Sequence, residues 1–310
     1  MIGANPQAAR AVLMVRPARF AWNPQTQASN RFQRGDESLA AAAAERACSE
    51  FEGLVERLDA AGVTTHVGVD RTEPACPDAI FPNNWVSLHA DGTVVLYPML
   101  APNRRHERRP ELLTMLVEQG YHVHSLVDLT HYETRGRFLE GTGSVVFDHA
   151  QRVAFACLSP RTHPEPLRDL CAELGYTACT FTATDTAGVP VYHTNVVLAI
   201  GTRCAIVASD MIAGHQRGAV MAMLARGSRI VVPIDASQVG RFAGNVLELR
   251  ATDGASVLAL SQQARDAFRA HELALLQRSV DRIVSAPIET IETLGGGSVR
   301  CMLAEVFLPR

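Results

Sequence analysis

A single cysteine near the end of the chain stands where covalent chemistry is feasible. Cys301 follows the glycine run Gly295–Gly297 and precedes a short apolar segment. Backbone without side chains lets a small substrate approach a thiol closely, and a thiolate is a strong nucleophile. The alternative is a structural cysteine after a tight turn, because free cysteines are mostly small core residues. Partners elsewhere in the chain decide between these two interpretations.

Four further polar positions recur along the chain at nearly even intervals. Each comes just before a predicted strand, at successive spacings of 52 to 56 residues, and together they comprise Asn83 with Asn84, Glu140, His193 with Asn195, and Asn245. A carboxylate, an imidazole and amides beside a thiol can move protons and bind a substrate in acyl-type chemistry. Singly, such residues are more often solvated charges, structural histidines or turn caps. Their common position favours one shared site.

The spacing reflects a repeated order of elements within one predicted catalytic domain, 1–310. A two-stranded hairpin, a helix and a third strand recur over approximately 80–127, 137–182, 190–235 and 244–310, and residues 1–70 form a less regular version. A period of about 50 residues is typical of repeat and propeller architectures. The last strand is left over after the fourth full copy. Pairing it with the first unit would close a ring without an open sheet edge.

Composition restricts the possible functions. The chain has 310 residues, a net charge of −3 and no lysine among its 29 Lys and Arg positions, which excludes Schiff-base, pyridoxal-phosphate and phosphate-loop lysines. The weak charge argues against nucleic acid or an anionic membrane as partner. No apolar run approaches the roughly 20 residues that cross a bilayer.

Seven cysteines without a CxxC pair indicate neither a disulfide framework nor a zinc ribbon, which fits a reducing, cytoplasmic compartment.

Three other patterns carry less weight. Gly141-Thr142-Gly143 is half of a dinucleotide-binding fingerprint, but position 146 is valine. His122 and His124 share a strand face without a third metal ligand nearby in sequence. The run Arg104–Arg109, interrupted by Glu107, is typical of a solvated helix face. We therefore predict no cofactor and no metal, expect a small-molecule substrate, and leave a homo-oligomer open.

Three motifs follow one another in the repeat setting: Leu139-Glu140-Gly141, His193-Thr194-Asn195, and the glycine turn leading to Cys301-Met302. Together they resemble the guanidine-modifying superfamily, which includes arginine deiminases, dimethylarginine hydrolases and amidinotransferases. The resemblance covers most of the chain and implies a five-fold pseudosymmetric α/β propeller. It also implies that Cys301 is the nucleophile, that His193 is the general acid and base, and that Glu140 binds substrate nitrogens and supports His193.

Two amides depart from the members that act on a guanidinium. Those members usually place aspartates where this chain has Asn84 and Asn195, and asparagine offers a donor and an acceptor that suit a neutral ureido group. The chain is also similar to the citrulline-utilisation hydrolase branch, through the segments Phe81-Pro82-Asn83-Asn84-Trp85, Tyr97-Pro98-Met99, Asn23-Pro24-Gln25-Thr26 and Ser29-Asn30-Arg31-Phe32-Gln33. We therefore expect hydrolysis of citrulline to ornithine, ammonia and carbon dioxide through an S-carbamoyl intermediate on Cys301.

Three alternatives stay open at this point: a guanidine hydrolase of the deiminase or dimethylarginine hydrolase type, an amidinotransferase, and a non-catalytic binding protein on the same scaffold. The amino and carboxylate groups of an amino acid also need partners. The residues we expect to contact substrate are Asn84, Asn195, Asn83, Asn245, Arg137 and Asn23, with Arg135, Arg300 and Asn30 nearby.

Overall fold

The computed structural model describes residues 6–35, 40–226 and 228–310, so the predicted first unit, 1–70, lies partly outside the described residues. The elements in chain order are β1 (Ala11–Arg16), α1 (Pro24–Gln27), α2 (Ala40–Ala60), β2 (Thr64–Val69), β3 (Val86–Leu88), β4 (Thr93–Leu96), α3 (Pro110–Glu118), β5 (Ser125–Asp128), α4 (Gly141–Ser144), β6 (Val146–Asp148), β7 (Val153–Cys157), α5 (Pro164–Leu174), β8 (Thr177–Phe181), β9 (Leu198–Ile200), β10 (Cys204–Val207), α6 (Gly214–Ala225), β11 (Ile230–Pro233), α7 (Ala236–Val239), β12 (Leu247–Arg250), β13 (Ser256–Ser261), α8 (Gln262–Ala267), α9 (Ala270–Ser279), β14 (Arg282–Ala286), α10 (Glu289–Gly295), α11 (Val299–Met302) and β15 (Ala304–Val306).

The strands form a mixed α/β fold in which one pairing pattern recurs. An antiparallel pair is followed by a third, parallel strand in β3-β4-β5, β6-β7-β8, β9-β10-β11 and β12-β13-β14. The same pattern joins the two ends of the chain, because β15 pairs antiparallel with β1 and β1 pairs parallel with β2. The predicted pairing of the last strand with the first unit is therefore confirmed.

The two ends also connect to the next strand set. Val306 of β15 lies opposite Leu88 of β3 in a parallel pairing, so β2-β1-β15-β3-β4-β5 is one six-stranded sheet. Ala304 lies opposite Leu13 on the other side of β15. Because β15 follows α11 after a single residue, this register fixes the position of the helix that carries Cys301.

Local sequence signals explain the helices that cover the sheets. α5 begins with Pro164, after His163 whose side chain accepts from the backbone N–H of Glu165, and it ends at Gly175 in the left-handed conformation. In α2, Phe51, Leu54 and Leu58 recur at helical spacing and are buried against the core. Among the helices of the described ranges, none combines the length and apolar character needed to span a bilayer.

The basic run differs from its predicted form. It lies in a 3₁₀ segment, Pro102–Glu107, ahead of α3, and Arg104 and Glu107 are buried with 3% and 2% exposure. The Arg104 guanidinium donates to both carboxylate oxygens of Glu107, at 2.9 and 2.8 Å. The prediction of a solvated face is therefore wrong for these two residues, because their mutual pairing allows both charges to leave water.

Four buried histidines make the fold sensitive to acid. Burial lowers the pKa of His89 to about 4, of His149 to about 3 and of His193 to about 4, and it also lowers the pKa of His66. In the unfolded chain these groups titrate near their ordinary value, about 6.5, and bind protons that the native state does not. Stability is therefore complete above that pH and is lost as the pH falls from there toward the folded-state values.

Urea unfolding between about pH 7.5 and 4.5 measures this loss, which we expect to reach about 1.4 kcal/mol per pH unit for each fully affected histidine. His149→Gln is expected to flatten the dependence, whereas substitution of the exposed His122 is not. A free energy of unfolding that stays constant across this range would contradict the expectation.

Candidate active site

The polar positions recognised in the sequence lie at equivalent places in the strand sets. Each precedes the first strand of its set. Asn84 ends the 3₁₀ turn Pro82–Asn84 before β3, Glu140 precedes α4 and β6, His193 and Asn195 precede β9, Asn245 precedes β12, and Cys301 lies in α11 before β15. All of them are buried. The recurring topology thus brings segments far apart in sequence to one place.

The Cys301 sulfur is surrounded by amide groups. Asn245 Nδ2 lies 3.3 Å from Sγ and Asn195 Nδ2 lies 3.6 Å from it. Asn245 Nδ2 also donates to the backbone carbonyl of Asn195 at 3.1 Å, which fixes the Asn245 side chain against the chain at residue 195. The oxygen of the same Asn245 amide lies 3.6 Å from Sγ, where it can accept the thiol proton. Asn245 therefore contacts the candidate nucleophile itself.

His193 is held by Glu140 in one tautomer. Its Nε2 lies 2.9 Å from Glu140 Oε2, and an ionised carboxylate only accepts hydrogen bonds, so Nε2 carries the proton and Nδ1 keeps a free lone pair. Gly143 leaves room beside this nitrogen, because a Cβ there would lie 2.8 Å from Nδ1. Burial lowers the pKa of His193 to about 4 although Glu140 raises it. The imidazole is therefore neutral at neutral pH and able to accept a proton.

Glu140 is fully buried and stays ionised. Its Oε1 accepts from the backbone N–H of Leu100 at 3.1 Å, and its Oε2 accepts from Arg161 Nη1 at 3.2 Å. Burial raises the pKa of Glu140, but the charge of Arg161, the hydrogen bond from His193 and the charge of Arg104 together hold it well below its ordinary range. A permanent negative charge thus faces the imidazole.

Two arginines that the sequence analysis did not select line the same cavity. Arg161 donates to the Thr26 carbonyl and the Ser29 hydroxyl as well as to Glu140, and Arg104 Nη1 donates to Asn84 Oδ1 at 3.0 Å. Arg104 lies in the run expected to be solvated. No motif marks Arg161, and the only available signal for Arg104 was the glutamate three residues further on.

Asp78 is a third missed residue. Its Oδ2 accepts from Asn23 Nδ2 at 2.7 Å and lies 3.6 Å from Arg104 Nε. Its Oδ1 is buried and has no hydrogen-bond partner. The residue stands six positions before Asn84, in the same segment leading into β3, which is the signal that sequence reasoning passed over.

These groups enclose a small cavity with an empty volume of about 270 Å³. It is lined by Thr26, Asn30, Asp78, Phe81, Asn84, Arg104, Arg161, Tyr192, His193, Gly295, Gly296, Gly297 and Cys301. Asn84 Nδ2 and Asp78 Oδ1 at its wall have no partners, and Asn195 Oδ1 close by has none either. Buried polar atoms are normally paired, so these unpartnered atoms are available to bind a ligand.

The remaining predicted contact residues lie elsewhere. Asn23 caps α1 and bonds to Asp78 and Asn103, so it supports the cavity from behind. Arg137 pairs with Glu165 and does not line the cavity. Although it is only three residues from Glu140 in sequence, the backbone between them directs its side chain away from the cavity. Asn83 is buried beside Asn84, does not line the cavity, and both polar atoms of its amide have no partner.

The segment after α1 covers the site. Asn30 Nδ2 donates to the carbonyl of Gly296 at 3.1 Å, and Tyr192 OH donates to the same carbonyl at 2.8 Å. Thr26 and Ser29 accept from Arg161, as described above. This segment and the glycine turn thus contact each other and both line the cavity. Among the described residues, no group of three or more His, Cys, Asp or Glu side chains could hold a metal ion.

Solved structures with a similar fold include enzymes of arginine chemistry. The N-terminal domain of a mutant of ArgZ, an arginine dihydrolase of the ornithine–ammonia cycle in cyanobacteria, was solved with substrate; it has a TM-score of 0.73 and 15% identity over 96% of this chain and 97% of that one. The same domain was also solved covalently bound to a reaction intermediate. A mutant of AgrE with L-arginine gives a TM-score of 0.74 and 17% identity, covering 96% of this chain and 40% of that one.

A third similar structure is an adduct of dimethylarginine dimethylaminohydrolase with S-methyl-L-thiocitrulline. It has a TM-score of 0.64 and 13% identity over 95% of this chain and 98% of that one. At such identities the likeness concerns the fold. The chain spans only 41% of the longer ArgZ chain and 39% of the AgrE chain solved with ornithine and NAD+.

Sequence comparison carries the assignment further. Curated protein sequences give no match. The family model for N,N-dimethylarginine dimethylhydrolase, eukaryotic, matches residues 16–308, which is nearly the whole chain. The chain therefore belongs to the eukaryotic N,N-dimethylarginine dimethylhydrolase family, within the guanidine-modifying superfamily that its motifs resemble, and is a hydrolase of carbon–nitrogen bonds other than peptide bonds.

Proposed function

We propose that the protein hydrolyses the guanidino group of an arginine-type amino acid through a covalent intermediate on Cys301. Family membership supports a guanidino substrate better than the ureido substrate expected from Asn84 and Asn195. The relatives solved with L-arginine and with a covalent intermediate support the same chemistry.

The charge around the cavity is the observation that carries the proposal. Three buried carboxylates, Asp78, Glu107 and Glu140, stand against two buried guanidiniums, Arg104 and Arg161. Burial raises the pKa of Asp78 and raises that of Glu107 to about 8, whereas His193 is neutral. The site therefore carries one unmatched negative charge only when both of these carboxyl groups are ionised, the state that a bound cation favours. Arginine brings a net charge of about +1 at neutral pH and citrulline brings none. A cationic ligand therefore completes the charge balance, which two amides in place of carboxylates do not prevent.

The cavity walls assign partners to the amino-acid part of the substrate. Arg104 and Arg161 supply positive charge for the α-carboxylate, and the free Nδ2 of Asn84 adds a donor beside them. The free oxygen of Asp78 accepts from a substrate nitrogen. These residues take the role that sequence proximity had given to Arg137.

The reaction needs only groups that are present. The Cys301 thiol gives its proton to His193 Nδ1 and the sulfur attacks the central guanidino carbon. Protonated His193, stabilised by Glu140, gives that proton to the departing nitrogen, and the carbon–nitrogen bond breaks. A water molecule then gives its proton to His193 and attacks the S-bound carbon. The carbon–sulfur bond breaks, the product leaves as a ureido compound, and Cys301 recovers its proton.

A substrate panel with product identification tests the proposal. Arginine, methylated arginines and citrulline are incubated with the enzyme and the products are separated by mass spectrometry. Citrulline from a guanidino substrate supports the proposal. Ornithine from citrulline with no turnover of any guanidino compound would overturn it. Dependence of turnover on an added acceptor amine, with ping-pong kinetics, would identify amidino transfer instead.

Asp78 provides a separate prediction. Burial raises the pKa of Asp78 in the empty cavity, and a bound cation favours the ionised form. Binding of arginine should therefore release a proton from Asp78, so its affinity should rise as the pH increases toward neutrality. Calorimetry of the Cys301→Ala enzyme in two buffers of different ionisation enthalpy measures this release. Citrulline should release none, and Asp78→Asn should abolish the release; equal release in that variant would contradict the assignment.

Hydrolysis of citrulline remains a second candidate. The observation that favours it is the pair of unpartnered amide atoms, Asn84 Nδ2 as donor and Asn195 Oδ1 as acceptor, which could match a ureido oxygen and nitrogen. Cys301, His193 and Glu140 would act in the same way, and the intermediate would be an S-carbamoyl cysteine that water releases as carbamate. The substrate panel distinguishes the two candidates directly.

We also propose that the strand sets close into a five-bladed α/β propeller of one catalytic domain. Two adjoining small cavities support a closed ring, because they share the lining residues Phe147, His149 and Glu305. Between them they are lined by the first strand of each of the five strand sets, namely β3, β6, β9, β12 and β15. For location, we propose the reducing cytoplasm, because all seven cysteines are free.

A further inference from the structure

The turn that precedes Cys301 cannot fix its own geometry. Gly295, Gly296 and Gly297 have no side chains, and Gly296 adopts a left-handed conformation with φ of 64°. They must be glycines because the Phe81 ring lies 2.8 Å from a Cβ built on Gly295 and 2.9 Å from one built on Gly297. The same freedom that admits substrate would let the turn vary. Contacts from outside the turn must therefore hold it.

Glu292 contacts this turn at two points. Its carbonyl accepts from the backbone N–H of Gly296 at 3.0 Å. Its carboxylate Oε1 accepts from the Ser298 hydroxyl at 2.6 Å. Glu292 belongs to α10, which ends at Gly295. Its carbonyl therefore holds Gly296 within the glycine run, and its carboxylate holds Ser298 directly after the run.

Ser298 connects Glu292 to Cys301 through hydrogen bonds. It stands at the N-cap of α11, and its carbonyl accepts from the Cys301 backbone N–H at 2.9 Å. Its side chain makes no capping bond to the helix, although serine is a favoured capping residue. The hydroxyl is instead committed to Glu292. The position of Glu292 therefore sets the position of the helical turn from which the sulfur projects.

The carboxylate is itself held rigidly in the interior. Glu292 is 2% exposed, and its Oε2 accepts from Gln263 Nε2 at 3.0 Å. Burial raises its pKa to about 7, against hydrogen bonds from Ser261, Ser298 and Gln263 that lower it. Placing an acid among apolar groups costs free energy unless its hydrogen bonds are satisfied. Such a residue is better explained by what it orients than by a contribution to stability.

We propose that Glu292 is a positioning residue for the reaction, whose carboxylate fixes the attack geometry of Cys301 through Ser298. This inference rests on the proposed role of Cys301 as nucleophile. Glu292 does not line the cavity and so does not touch substrate. Its loss should therefore lower kcat and leave KM nearly unchanged, since displacement of a reacting atom by about 1 Å can cost roughly 100-fold in rate.

The test compares Glu292→Ala, Glu292→Gln and Ser298→Ala with Glu272→Gln as a control. Glu272 is equally buried at 1% exposure and also accepts from a glutamine, Gln238 Nε2, but lies in α9 away from the site. We expect Glu292→Ala to lower kcat by roughly 10- to 100-fold with KM within about twofold. Glu292→Gln keeps an acceptor for Ser298 and should recover most of the rate. The double variant Glu292→Ala with Ser298→Ala should be no slower than Glu292→Ala alone.

A second measurement separates positioning from general destabilisation. The rate at which iodoacetamide alkylates Cys301, followed by peptide mass spectrometry, should change in Glu292→Ala and not in Glu272→Gln, even if both lower the unfolding temperature. Unchanged kcat and alkylation in Glu292→Ala would overturn the inference. Failure of the proposed function is distinct, because it would appear as turnover by Cys301→Ser whatever the Glu292 variants do.

Discussion

Replacing Cys301 by serine is expected to abolish hydrolysis of guanidino and ureido substrates, by roughly 10⁴-fold or more in kcat. A serine hydroxyl is far less acidic than a thiol, so it gives up its proton to the neutral imidazole of His193 much less readily. The amides of Asn195 and Asn245 that lie beside residue 301 cannot ionise an alcohol. Binding should persist, since the charged groups of the cavity are unchanged. Steady-state kinetics and calorimetric titration measure the two effects separately.

Cys171→Ser is the matched control for this variant. Cys171 is also buried, at 7% exposure, and burial raises the pKa of its thiol to about 11, but it packs in α5 away from the cavity. It should retain activity. Mass spectrometry of the wild-type enzyme quenched during turnover should find an adduct on Cys301 alone. A Cys301→Ser enzyme with full turnover would refute covalent catalysis and favour the non-catalytic scaffold or a different nucleophile.

Regular features of the sequence were sufficient to predict the strand pattern. They also predicted that the polar positions before the first strand of each set lie close together. The alternation of apolar residues and the turns at Asp91-Gly92 and Asp253-Gly254 are local signals, and Gly92 and Gly254 have φ of 83° and 89° as such turns require. The pairing of β15 with β1 followed from counting elements and not from either strand alone. Once the sets are equivalent, equivalent positions approach one another, which is why the spacing predicted a shared cavity, whereas the support of His193 by Glu140 was implied by the family resemblance.

The charge of the site could not be predicted in the same way. Arg104, Arg161 and Asp78 lie outside the repeated corner positions, and each becomes informative only through partners distant in sequence. An arginine is usually a surface residue, and only the burial of Arg104 with Glu107 identifies it as part of a site. Asparagines at positions 84 and 195 predicted a neutral ligand, whereas the proposal of a cationic ligand also counts the carboxylate of Asp78. Substrate charge depends on the sum of all buried groups, and the two amide positions give only part of that sum.

Glu140→Gln is the second variant with a large expected effect, a loss of roughly 10³- to 10⁴-fold in kcat. Glutamine has nearly the same size, but one of its two polar atoms is a donor. If its oxygen keeps the bond from the Leu100 N–H, its NH₂ group faces His193 Nε2 and Arg161 Nη1. His193 must then accept at Nε2 and carry its proton on Nδ1, where it can no longer take a proton from Cys301. The protonated imidazole also loses the charge that stabilises it.

The comparison with Glu140→Asp and Glu248→Gln isolates this effect. Aspartate keeps the charge and should restore part of the rate, whereas Glu248, also buried at 3% exposure, bonds to the Thr202 N–H away from the cavity and should tolerate the amide. Glu140→Gln also leaves Arg161 without its carboxylate, and breaking a buried ion pair costs about 3–5 kcal/mol, so unfolding must be measured beside activity. A folded Glu140→Gln enzyme at wild-type rate would mean that His193 does not need the tautomer fixed by Glu140. In that case the proton acceptor for Cys301 would have to be sought elsewhere in the cavity, where the carboxyl group of Asp78 has an unpartnered oxygen.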